Sequence, residues 1–146
     1  MAVCLVLASA LSLAGARAEA PADPASTLRV VVLYADAVGL PTSSQVDEAL
    51  RQELSRTFGE RLDYSSDFLD LMHAAAPDYE ETLKLLLQAK HAHRPPDVVI
   101  VMGSTALRFV VANRQDLFPG VPIVFCHVEP RELSALALPP DVVPVA

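Results

Sequence analysis

The chain has 146 residues, 52% of them hydrophobic and 20% charged, with a formal net charge of -7. That length supports one domain with its own core. The acidic balance, with no basic run, argues against a nucleic-acid partner. With aromatics at 5% and no Trp, a pocket would be lined by aliphatic and small polar groups with a few Tyr and Phe.

Ala2 to Ala14 is an apolar run too short to span a bilayer comfortably. Small residues follow at Ala16-Arg17-Ala18 and again at Ala18-Glu19-Ala20. Residues 1–18 therefore read as a signal peptide cut after 18 or 20, although no basic residue precedes Arg17. An uncleaved membrane anchor is the competing reading. Export implies a periplasmic location, with membrane contact only through the signal segment. Removal of Cys4 would leave Cys126 alone, so burial rather than a disulfide must hold the fold. Residues 19–27, EAPADPAST, form a Pro/Ala linker.

The domain starts with Leu28 to Tyr34, LRVVVLY, a buried strand. After a turn with Gly39 and Pro41, one of Thr42, Ser43 or Ser44 is expected to cap a helix, with Thr42 and Gln45 at capping-box spacing. Val46, Ala49, Leu50, Leu54 and Phe58 share one face of that helix, and Gly59 stops it. Arg61 to Ser66 is a more polar strand, suited to a sheet edge. Asp78 with Glu81 three residues on starts a second helix to about Lys90, with Leu83, Leu86 and Leu87 inward. Pro95-Pro96 breaks the chain before a third strand, Val98 to Met102. A helix from Thr105 to about Leu117 follows, with Leu107, Val110, Val111 and the stem of Arg114 toward the sheet. Val121 to Cys126 is the fourth strand, Pro130 to Leu136 a short helix, and Asp141 to Val145 the start of another element. Strands alternating with helices imply parallel pairing and right-handed crossovers. The expected fold is an α/β, three-layer, flavodoxin-like open sheet in the order 2-1-3-4, with a possible fifth strand.

Several familiar sites are absent: G-x-G-x-x-G after a strand, the P-loop pattern, the G-x-S-x-G elbow, and the acidic residues of a phosphoacceptor domain. What remains lies at strand ends. Gly103, Ser104 and Thr105 sit where the third strand feeds its helix, where free N–H groups favour a carboxylate or other anion. The plainer reading is a turn glycine and a capping serine. Tyr34 and Asp36 end the first strand, across the topological switch point from Ser104. There Asp36 is placed to hold a ligand ammonium, or simply to be a solvated turn residue. Cys126 and His127 end the fourth strand. Neighbouring strand residues point to opposite faces, so they are poorly placed as nucleophile and base. His91 and His93 form an H-x-H pair, too few ligands for a metal. Asp67 and Asp70 read as surface and capping groups. No cofactor, metal or catalytic residue is expected.

The run YSSDFLDL and the long stretch ending LFPGVPIVFCHV resemble a known family. The matching positions are Pro96-Asp97-Val98-Val99-Ile100, Gly103, Ala106-Leu107, Leu117-Phe118-Pro119-Gly120-Val121-Pro122 and Val124-Phe125. They are similar to the ABC-transporter substrate-binding family with the type-1 periplasmic-binding fold, and more narrowly to periplasmic sensor regions that precede bacterial sensor histidine kinases. The resemblance covers Leu28 to Val145. It implies that residues 28–146 are the first lobe of a two-lobed protein that binds a small polar or anionic metabolite without catalysis. Tyr34, Asp36, Ser104, Cys126 and His127 would line that lobe's side of the cleft. The second lobe, and a kinase module or ABC permease as partner, would lie outside a chain that stops where the first crossing begins. Sensing is the first expectation and ABC-transporter solute binding the second. A thiol-dependent enzyme and a non-functional fragment are the remaining readings.

Overall fold

The computed structural model describes residues 26–73 and 76–145. The expected signal peptide and most of the expected linker lie outside the described residues. In chain order the elements are β1 (Leu28–Tyr34), α1 (Pro41–Phe58), a 3-10 turn (Gly59–Arg61), β2 (Leu62–Phe68), α2 (Tyr79–His91), β3 (Val98–Met102), α3 (Ser104–Ala112), α4 (Arg114–Leu117), β4 (Ile123–Cys126), α5 (Pro130–Leu133) and β5 (Val142–Pro144).

All five strands are parallel, in the order β2-β1-β3-β4-β5. The expected flavodoxin-like arrangement is present, and the segment after Asp141 is its fifth strand. The central strands are apolar on both faces because helices cover both sides of a parallel sheet. Alternation divides them. Val31, Leu33, Val99, Val101, Ile123 and Phe125 meet α2, α3 and α4 on one face. Val30, Val32, Tyr34, Val98, Ile100, Met102 and Val124 share the other face with α1. The register Val31–Val99–Ile123 and Leu33–Val101–Phe125 keeps each set on its own side. The crossover from β1 runs one way along the sheet and that from β3 the other, so right-handed connections put α1 and α3 on opposite faces.

Several boundaries and caps differ from expectation. No serine or threonine caps α1: Leu40 holds the cap position in extended conformation and Pro41 is the first helical residue. Proline forces the residue before it to be extended and needs no N–H partner in a first turn. In α2, Asp78 does hold the cap position, but its side chain makes no capping bond. Leu83 and Leu87 face the core there, whereas Leu86 is 62% exposed, because it lies about 100° around the helix from Leu87. The expected single helix after β3 breaks at Asn113, whose side chain and N–H both donate to the Phe109 carbonyl. Arg114, beyond the break, is buried, donates to the Val121 carbonyl at 3.2 Å and pairs with Asp141. Finally, β4 begins at Ile123 rather than Val121, α5 stops at Leu133 rather than Leu136, and β2 extends to Phe68.

Candidate functional site

The switch point between β1 and β3 opens into a cleft of about 490 Å³ at the carboxyl ends of the strands. Tyr34 and Asp36 enter it from β1, Gly103, Ser104 and Thr105 from β3, and His127 from β4. Leu40, Ser43, Met72 and Glu132 complete it from the flanking segments.

Residues 34–36 are held on a rigid backbone. The segment after β2 continues the pairing with β1: Leu69 N–H donates to Tyr34 O at 2.8 Å, Leu71 N–H to Ala35 O at 2.9 Å and Asp70 N–H to Asp36 O at 3.2 Å. The Asp36 carboxylate is oriented by Ser43, whose buried hydroxyl donates to Oδ2 at 2.7 Å. No Lys or Arg pairs with Asp36 among the described residues. Starting α1 at Pro41 produces this contact, since it places Ser43 in the first turn, facing inward.

On the other wall, Gly103 sits at the cap of α3 with φ 91° and ψ 157°, a conformation that only glycine adopts without strain. Its N–H donates to Cys126 O at 3.0 Å. No side chain caps α3, so its first-turn N–H groups are open to a ligand acceptor. Ser104 is therefore the first helical residue, not the cap. The Thr105 hydroxyl lies 3.6 Å from the Met72 sulfur.

Tyr34 is scaffold as much as site. Its ring stacks on Phe68 with centroids 4.8 Å apart and is 2% exposed. Its hydroxyl has no hydrogen-bond partner among the described residues. Burial, and then the nearby Asp47 carboxylate, pushes its pKa well above the usual phenol range. Asp47 instead accepts the Tyr64 hydroxyl at 2.7 Å, with Arg51 over the Tyr64 ring.

Cys126 does not join the cleft, which corrects its expected place in the site. It faces the α1 side of the sheet, its sulfur toward that of Met102, in an apolar groove of about 380 Å³ with Leu50 and Ile100 that adjoins the cleft and shares Val46, Met102 and His127 with it. Strand alternation sends it there, while His127, with a left-handed φ of 56°, lines both the groove and the cleft. Burial pushes the Cys126 thiol up to about 11, and no histidine is hydrogen-bonded to it. His91 is buried at the end of α2 beside Phe118, 3.8 Å from Asp67. Asp70 pairs with His73 at 2.9 Å. Asp67 and Asp70 thus serve different neighbours.

Comparison with family models, curated proteins and solved structures returns no match for this chain. The fold and the cleft's own chemistry therefore carry the functional argument. A second cleft, of about 870 Å³, opens at the amino ends of the strands, between the Pro95-Pro96 and Pro119–Pro122 loops. It is larger, but there α2 and α4 present their carboxyl ends, and prolines remove backbone donors. The smaller cleft has the free helix N–H groups, an oriented carboxylate and the hydroxyl residues Tyr34, Thr42, Ser43, Ser104 and Thr105. Sequence reasoning missed Ser43, Leu40, Met72 and Glu132. Pro41 was the available signal for Ser43, because a proline one residue inside a helix start fixes where the first turn lies.

Proposed function

We propose that this chain is a small-molecule-binding lobe of an exported, periplasmic protein, and that it recognises its ligand without converting it. One observation carries the reading: Asp36, held by Ser43, faces an uncapped helix start at Gly103–Thr105 across the switch-point cleft. That arrangement can hold a polar metabolite at two points. Its one hydroxyl bonded to a carboxylate, that of Ser43 on Asp36, is buried and so is not presented as a nucleophile. The cleft is open on one side, and a second lobe of the kind the type-1 periplasmic-binding resemblance implies would close it. Lobe closure would then report occupancy, to a sensor kinase in the first reading or to a permease in the transport reading.

The DNA that follows codon 146 in the source genome tests this. A continuous frame encoding another α/β lobe, then a membrane span and kinase, is the expected result. A neighbouring permease gene instead would assign the lobe to transport. A frame encoding neither a lobe nor a membrane partner would overturn the proposal.

A further inference from the structure

The lining of the cleft narrows the ligand class, on the reading that this cleft is the binding site. Asp36 and Glu132 both line it, and no Lys or Arg does. Neither carboxylate has a salt-bridge partner among the described residues. Asp36 has one hydroxyl on Oδ2, which leaves Oδ1 for a ligand donor. A ligand carried mainly by negative charge would meet two carboxylates, with helix N–H groups and His127 to offset them, whereas a cation would be favoured by the field of both.

The mouth of the cleft is apolar. Among the described residues five large hydrophobic side chains stand exposed. Leu40, at 42%, and Met72, at 63%, line this mouth, and Val38, at 79%, belongs to the same loop as Leu40. Solvated apolar side chains grouped around a polar floor favour a ligand that is polar at one end and apolar at the other.

We infer that the cleft selects an amphipathic amine: an ammonium group on Asp36, with Glu132 nearby, and an apolar body against Leu40 and Met72. Ser43 acts as a positioning residue by fixing the carboxylate's orientation.

The test uses the full chain and three probes, ethylamine, hexylamine and hexanoate, titrated while amide chemical shifts are followed. Hexylamine should perturb Asp36, Ser43 and Met72 and bind roughly tenfold more tightly than ethylamine, since four extra methylenes are half-buried at the mouth. Asp36→Asn should weaken hexylamine at least tenfold. Ser43→Ala should weaken it by a smaller factor while leaving the fold intact, which keeps the test open if Asp36→Asn does not fold. Equal binding of the two amines, or binding of hexanoate in preference to hexylamine, would overturn this inference and leave the cleft as a binding site. No perturbation at these residues by any probe would overturn this inference and count against the binding reading of the cleft itself.

Discussion

Replacing Gly103 with alanine tests how the cleft wall is built. Gly103 has φ 91° and ψ 157°, and a Cβ placed there would lie 3.8 Å from the Ala35 Cβ, an ordinary contact. The cost of Gly103→Ala is therefore conformational, not steric. Holding a non-glycine residue in that region costs on the order of 1–3 kcal/mol. The alternative is for the backbone to relax, which would weaken the Gly103 N–H bond to Cys126 O and shift the start of α3. Urea denaturation should show stability reduced by about 1–3 kcal/mol with an unchanged m-value. Gly103→Ser should cost about the same, because the backbone sets the penalty. A loss below about 0.5 kcal/mol would mean that φ is not constrained there. A loss well above 4 kcal/mol would mean a clash that the open space around Gly103 excludes.

Three further outcomes follow from burial and charge. Leu54, on α1, is fully buried against the sheet, so Leu54→Ala should cost about 2–5 kcal/mol in urea denaturation, whereas Leu86→Ala on the exposed face of α2 should change stability by less than about 0.5 kcal/mol; comparable losses would contradict the observed face of α2. The Cys126 thiol, pushed up to about 11 by burial, should react with iodoacetamide at pH 8 roughly a hundredfold more slowly than a free thiol of pKa ~8.5, and reaction at the free-thiol rate in the folded chain would refute its placement. Burial opposes ionisation of Asp67, but His91 and Lys90 outweigh it and hold the carboxyl below its usual range. A depressed folded-state value means that Asp67 contributes stability above about pH 4, lost as pH falls through the folded value. The advantage of wild type over Asp67→Asn should accordingly shrink as pH falls below about 4; an advantage that grows over that acid range would reverse the assignment.

The central strands were legible because Val30–Leu33, Val98–Val101 and Ile123–Phe125 are buried on both faces, which leaves unbroken apolar runs. Their order followed from crossover handedness and from the polar edge strand β2. What local pattern misread was decided by single residues with backbone effects. Pro41 started α1 earlier than the serines that looked like caps, and Asn113 divided a helix that apolar periodicity ran through. Asp36, Gly103, Ser104, Thr105 and His127 do line one cleft, as their strand-end positions suggested. Cys126 was misplaced because a strand end supplies two directions, and alternation sent it to the face beneath α1. Met72 and Glu132 reach the cleft from segments distant in sequence, so only the folded chain brings them to Asp36 and Leu40.

We propose that the switch-point cleft, rather than the cleft at the amino ends of the strands, takes up a small molecule. Amide chemical-shift mapping of the full chain against a panel of small polar metabolites tests it most directly. The account predicts saturable shifts centred on Asp36, Ser43, Gly103, Ser104, Thr105 and His127, with each compound recovered unchanged. Shifts centred instead on the Pro95-Pro96 and Pro119–Pro122 loops, or chemical turnover of a bound compound, would contradict it.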